Sequence, residues 1–395
     1  MSHPRAPLYT LAFGNFVIGT GTMITAGLLN LIAADLGVSL AAVGQLLTAY
    51  AVATCVGAPI LAGVTSRISR RALLVGALVL FALCHVGAAF APSYAVLLLL
   101  RLLTGSGAAI YTPQAAATAG LLVDPAQRGR AVALVFLGFS LSSVVGNPLS
   151  IYLGAALGWR AAFVVVGLVA ALCAALVYVQ VPKGLYVPRI DAAAWRAVFG
   201  NRALLLVLAT TVLQAAAQFV LLTYLAAVLK NDLGASPTLI GALFAWIGAS
   251  GVAGNLIAGA LIDRLGAARV VAATIATILA AFLLWPLTRG SLPMTLLALT
   301  LWGLGAFAIQ GAQQVRLIAM APPLASASVA LNSSSFYLGQ AAGAGLGGLV
   351  LVHFDLGALS WIGAGLLLLT WAVSTAAQAR SERLDPAGAV DPLRR

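Results

Sequence analysis

Polar residues interrupt this chain at nearly regular intervals, and between the interruptions run apolar stretches of some 20 to 28 residues. At about 1.5 Å of rise per residue, each stretch lets a helix cross a hydrocarbon core of roughly 30 Å. A helix satisfies its own backbone in lipid, whereas a membrane barrel would show alternating strands of about ten residues. Breaks at Arg, Pro, Gly or Asp predict twelve helices, over 8–31, 41–65, 72–91, 95–120, 130–156, 160–181, 202–229, 237–262, 268–288, 292–316, 325–351 and 356–378.

A short basic turn occurs twice in this pattern. One copy runs from Gly259 through Leu261, Ile262, Asp263, Arg264 and Gly266 to Arg269; the other runs from Ala62 through Ser66, Arg67 and Ser69 to Arg70 and Arg71. Arg67 and Arg264 lie 197 positions apart, half of the 395-residue chain. The same offset relates Asp35-Leu36-Gly37-Val38-Ser39 to Asp232-Leu233-Gly234-Ala235-Ser236, and Gly44 to Gly241. One register for three matches indicates a duplicated unit. The expected fold is an all-α polytopic membrane protein with twelve transmembrane helices in two pseudo-symmetric six-helix halves. Residues 1–181 form the first half, 182–201 a cytoplasmic linker, 202–379 the second half and 380–395 a polar, disordered cytoplasmic tail. The linker, with Pro182, Pro188 and Trp195, leaves room for a short amphipathic helix.

Composition agrees with this reading: 62% of residues are hydrophobic and 8% charged, where a soluble domain carries about 25% charged residues. The net charge of +12 would suggest nucleic acid in a soluble protein. Here the basic residues fall in the connections, seventeen on the side of the termini against Arg160, Lys230 and Arg289 on the other, with Arg101 alone inside a helix. That asymmetry orients the chain with both termini in the cytoplasm and leaves no role for nucleic acid. Cys55, Cys84 and Cys173 all lie in apolar runs and read as packing residues, not as a disulfide or metal framework. The first apolar run is too long for a signal-peptide core.

Further motifs lie in a fixed order. Arg101-Leu102-Leu103-Thr104-Gly105-Ser106-Gly107 stands on the fourth run. Gly138, Gly146-Asn147-Pro148 and Gly154 mark the fifth, followed by Gly158-Trp159-Arg160 and Phe163. Together with the basic turns, this series resembles the major facilitator superfamily over nearly the whole chain, in its twelve-helix drug and sugar efflux branch of arabinose efflux permease-like and drug:proton antiporters. The second turn fits that family's pattern well, including Asp263, Arg264 and Gly266. The first has Ser66 where the family has Asp, and Asn147 separates a Gly and a Pro that are usually adjacent. The resemblance implies alternating access, with Arg67, Arg70, Arg71, Asp263 and Arg264 as gating turns and Gly146 and Pro148 as a helix-five motif. Arginines at helix ends also suit gating physically, since C-terminal carbonyls attract cations and a carboxylate such as Asp263 can pair with them. The alternative is that these arginines only set topology. The glycines at 339, 343 and 347 form one smooth stripe for close helix contact.

Polar residues are expensive in hydrocarbon and tend to face a cavity. Asn15 and Thr22 share a face of helix one, and Thr211, Gln214 and Gln218 share a face of helix seven. Gln114, Gln310, Gln314, Asn332, Phe336 and Gln340 extend the set. Resemblance places helices one, four, seven and ten around the central cavity, with two, five, eight and eleven beside them. Asn15, Thr22, Arg101, Gln114, Gln214, Gln218, Gln310, Asn332, Phe336 and Gln340 are therefore the expected cavity residues, with interhelical hydrogen bonding as the competing role of each. All nine acidic residues sit in connections or near helix ends, and relatives often have a carboxylate where Thr22 stands. That lack argues against a cationic substrate. Arg101 favours an anion or a hydrogen-bond acceptor, unless it is tied to backbone carbonyls. His85, deep in helix three, is the candidate for proton coupling, against a packed neutral imidazole.

The expected function is proton-coupled efflux of a small neutral or weakly anionic amphiphile, such as a sugar derivative, nucleoside or drug-like metabolite, across a bacterial-type inner membrane. Nutrient uptake by symport is the alternative within transport; a non-transporting scaffold or receptor is the alternative outside it. No paired carboxylates, metal cluster or activated nucleophile indicates an enzyme, and no phosphate-binding glycine loop with Lys indicates an ATP-driven pump. The expected partners are a small-molecule substrate, protons and membrane lipid; no cofactor or metal is implied, and the chain is expected to act as a monomer.

Overall fold

The computed structural model describes residues 5–65, 68–124, 128–186 and 192–384. Among these residues, eleven helices are long and apolar enough to cross a membrane, and a twelfth span is a bent pair, α1 (Arg5–Gly27) and α2 (Leu29–Leu36), kinked by 59°. The first half continues with α3 (Leu40–Val64), α4 (Arg70–Ala89) and α5 (Tyr94–Leu121). Its fifth span is α6 (Arg128–Leu141), a π-helical turn at Ser142–Gly146 and α7 (Asn147–Leu157); its sixth is α8 (Trp159–Gln180). A short helix, α9 (Ala192–Gly200), leads to the second half: α10 (Arg202–Leu222), α11 (Leu225–Leu233), α12 (Pro237–Leu265), α13 (Ala267–Leu284), α14 (Leu292–Met320), α15 (Ala325–His353) and α16 (Ala358–Leu384).

The sequence repeat at Asp35 and Asp232 has a local physical cause. Gly37 and Gly234 both adopt left-handed backbone, with φ of 63° and 62°, and terminate α2 and α11. A residue with a Cβ is disfavoured there. Two positions later Ser39 and Ser236 accept from Ala42 N at 3.1 Å and from Leu239 N at 3.2 Å, capping α3 and α12. The repeated motif is therefore one C-terminal stop followed by one N-terminal start, used once in each half.

Several expected boundaries shift. Helix one does not run unbroken to residue 31, and helix seven breaks at Thr223 and Tyr224. The last helix extends beyond residue 378 to Leu384, so part of the expected polar tail is helical, and residues 385–395 lie outside the described residues. In the linker, α9 buries Val198 and sets Trp195 in a small apolar cluster with Leu204, Leu317 and Ala327 of the second half. Val198 packs inward there while Phe199 stays exposed. The Gly339, Gly343 and Gly347 stripe lies against α10: a Cβ on Gly343 would sit 2.3 Å from the carbonyl oxygen of Ala216. It serves close packing within the second half.

The halves meet at the end of the bundle remote from α1's start and α16's end. Gly44 of α3 faces the Tyr224 hydroxyl, which donates to Ala344 O at 3.0 Å, and Gly248 of α12 faces the backbone of Ser143. Leu47, Phe219 and Ala344, backed by Met23, Leu222 and Phe336, form an apolar plug across the join.

Candidate functional site

Above that plug the halves separate and enclose a cavity of about 1360 Å³. Its wall includes Leu8 and Tyr9 from the start of α1 and Val315 and Ile318 from the end of α14, so it opens at the end that carries the described termini. Around its floor stand Phe219, Phe244, Trp302, Phe336 and Tyr337. Among the described residues that line it, none is Asp, Glu, Lys, Arg or His.

The structure divides the sequence-based set. Gln218, Gln310, Asn332 and Phe336 line the cavity, as does Gln314. Gln218 is bonded on both sides: its Oε1 accepts from Trp302 Nε1 at 3.0 Å and its Nε2 donates to Gln214 Oε1. Gln214 is thereby withdrawn behind the wall, fully buried. Asn332 Oδ1 accepts from Thr211 at 2.6 Å, and Gln313 Nε2 donates to the same hydroxyl at 3.3 Å. Gln340 is fully buried off the wall, and its amide has no hydrogen-bond partner among the described residues.

Four first-half candidates do not face the cavity. Asn15 Nδ2 donates to Val135 O at 3.0 Å while its Oδ1 accepts from Thr112, which does line the wall, at 2.7 Å. Thr22 donates to Ile18 O and shares a 2.7 Å hydrogen bond with the Tyr50 hydroxyl. Arg101 is buried, donating to Gly21 O at 2.9 Å and Thr22 O at 3.3 Å, with its guanidinium 4.7 Å from the Tyr50 ring centroid. The backbone-tied reading of Arg101 is the one realised, because carbonyls of α1 lie within reach and no carboxylate does among the described residues. Gln114 accepts from Arg70 and stands near the terminus-bearing end. His85 is buried behind α1; its Nδ1 lies 2.9 Å from Phe81 O, and its Nε2 faces Gly21.

The basic turns show contacts within halves. Arg70 N donates to Leu185 O at 2.9 Å, tying α4 to the linker, and the Arg71 guanidinium lies 4.2 Å from the Tyr178 ring centroid on α8. Arg264 is exposed at the end of α12. Arg67 and the Asp263 side chain lie outside the described residues. Gly146 and Pro148 sit at a three-way junction: Gly146 abuts Thr20 of α1, and Pro148 O faces Gly241 of α12. At the opposite end Asp35 pairs with Arg160 and accepts from Trp159 Nε1 at 3.1 Å. Its repeat counterpart Asp232 lies 3.9 Å from Arg289, also 3.9 Å from Asp355.

Sequence reasoning missed Asn255, Phe307, Trp302 and Tyr337 on the wall. Asn255 carried a legible signal, as the one carboxamide in the apolar run of α12.

Two bundles of six spans around a central cavity define a secondary membrane transporter, not an enzyme. The Major Facilitator Superfamily model matches residues 11–323 and again 207–390. The chain belongs to that superfamily. It is 32% identical over 345 residues to the inner membrane transport protein YdhP of Escherichia coli K12, covering 87% of this chain and 88% of that protein. It is 28% identical over 357 residues to the uncharacterized MFS-type transporter YbcL of Bacillus subtilis 168, covering 90% and 92%. Among solved structures it resembles the nucleoside transporter NupG, with a TM-score of 0.77, 14% identity and coverage of 95% and 100%. It also resembles a bacterial homolog of the human lysosomal transporter Spinster in an inward-facing, occupied conformation, with a TM-score of 0.76, 18% identity and coverage of 96% and 98%. At these identities the two structures show the fold alone.

Proposed function

We propose that this protein exports a small uncharged amphiphile by alternating access, with both termini cytoplasmic. The observation that carries the reading is the cavity wall, aromatic and carboxamide-bearing with no charged side chain among its described residues. A charged ligand entering such a wall would lose its hydration without a counter-charge, whereas a neutral one loses little and gains apolar contact. The weakly anionic option expected from Arg101 loses its support, since Arg101 is engaged with α1. The basic residues on the terminus-bearing side support the orientation, which makes the opening face the cytoplasm. Export then begins by loading from inside.

Proton coupling is assigned to His85 in the same reading. Buried beside Gly21, whose carbonyl Arg101 also holds, His85 would act on α1 and not by touching substrate. Everted and right-side-out vesicles test both parts. The expected result is accumulation of neutral aromatic solutes in everted vesicles, reduced when the pH gradient is collapsed and lost in His85→Gln. Accumulation only in right-side-out vesicles would establish uptake, and full gradient-driven export by His85→Gln would remove the coupling assignment.

A further inference from the structure

The cavity wall is chemically lopsided. Asn255 of α12 and Gln310 and Gln314 of α14 line it together; Gln310 Nε2 is buried without a hydrogen-bond partner among the described residues, and the exposed Asn255 and half-buried Gln314 make no side-chain hydrogen bond among them. Gln310 and Gln314 are one helical turn apart on a common face. Asn255 is brought to them by close packing of α12 on α14: a Cβ on Gly254 would sit 2.1 Å from Leu304 O, and one on Gly311 would lie 3.6 Å from Asn255 Oδ1. Asn255 therefore reaches the wall beside Gly311, which lies between Gln310 and Gln314 along α14. The three carboxamides differ from Gln218 and Asn332, whose side chains are engaged with Trp302, Gln214 and Thr211.

The duplication provides an internal control. Ala58 stands 197 positions before Asn255. On the α5/α14 pair, where Ser93 and Ser291 cap the helices and Gly105 and Gly303 make the same close contact, the offset is 198, which sets Thr112 and Ala116 at the positions of Gln310 and Gln314. Ala58 and Thr112 line the same cavity, and the Thr112 hydroxyl donates to Asn15 Oδ1 at 2.7 Å, so the equivalent positions carry no carboxamide and their one hydroxyl is already engaged. A free carboxamide placed in hydrocarbon is costly unless it meets water or a ligand, and helix packing is served in the first half without it.

We propose that Asn255, Gln310 and Gln314 form the specificity-determining subsite of the cavity. It takes an uncharged ligand that presents an amide-like edge, a carbonyl beside an N–H as in a lactam, imide, urea or carboxamide, on an apolar body. A primary amide offers two N–H donors and one acceptor oxygen in a plane, which matches such an edge. Phe307, one turn deeper on α14, offers an apolar face to the ligand body. The polar edge faces the second half, and the apolar body extends toward the plug and the first half. This inference rests on the neutral-amphiphile reading above and gives it a substrate class and an orientation.

The test uses the full-length protein in nanodiscs and reads binding by intrinsic tryptophan fluorescence and thermal shift. The probes are uridine and 5-phenylhydantoin, their N-methylated derivatives, and phenyl β-glucoside as an aromatic polyol without an amide edge. The expected result is binding of the free imides, weakened about ten-fold or more by N-methylation and by Gln310→Leu or Asn255→Leu, the size expected when a buried donor or acceptor is left unmatched. N-methylation needs no variant, so a misfolded substitution does not decide the outcome. Equal affinity for free and methylated imides, or preference for the polyol, would overturn the subsite while leaving the neutral-amphiphile reading in place. Binding of none of these neutral probes would overturn both.

Discussion

A lone arginine inside an apolar run looks in sequence like a ligand for an anion, and Arg101 illustrates why spacing alone does not settle it. Its two hydrogen bonds to Gly21 O and Thr22 O make it a cross-brace between α5 and α1. Arg101→Ala should lower thermal stability by about 2 kcal/mol, from two charge-assisted hydrogen bonds, while leaving ligand affinity in the inward-open state unchanged. Arg101→Lys should not restore stability, because a point donor does not span two carbonyls as a planar fork does. Thermal unfolding alongside a binding titration would check both halves of this expectation. Other residues divide for the same reason. Gln310, Gln314 and Asn332 were legible as polar positions on a helix named by the family resemblance, and they line the cavity. Asn15 and Thr22 were equally polar, but their partners, Val135 O and the Tyr50 hydroxyl, come from distant parts of the chain. Periodicity identifies a face and not what lies opposite it.

At the scale of elements the sequence was most informative, since an apolar run bounded by charge has few alternatives to a spanning helix. The number of spans follows from run length. The break points do not: the 59° bend after Gly27 and the π-helical turn at Ser142–Gly146 depend on what packs there. Gly146 meets Thr20 of α1, and Gly248 meets the backbone of Ser143, so the irregular fifth span is shaped by contacts with two neighbours. Glycine spacing was legible as close packing, and the structure shows against which helix. Gly343→Ala should force α15 away from α10, because the added Cβ meets backbone at 2.3 Å and backbone has little room to give. Gly345→Ala, with nothing nearer than 3.9 Å, should be tolerated. Comparing the thermal midpoints of the two variants tests that difference, and equal midpoints would contradict it.

Across the whole molecule, the duplication explains the scaffold and the departures from it point to function. Gly37 and Gly234, with Ser39 and Ser236, repeat because both halves need the same helix stop and start. Asn255 and Gln310 break the repeat, standing where the first half has Ala58 and Thr112, on the surface that would meet a ligand. Closure at one end by the plug of Leu47, Phe219 and Ala344 and opening at the other define one of the two states that alternating access requires. The central claim is that the cavity carries uncharged molecules, and a flux measurement tests it most directly. Proteoliposomes containing the protein would be loaded with matched neutral, quaternary ammonium and sulfonate aromatic solutes, and depletion followed by mass spectrometry. The account predicts that only solutes uncharged at the assay pH are depleted faster than from protein-free liposomes; protein-dependent depletion of the quaternary ammonium or sulfonate solute would contradict it.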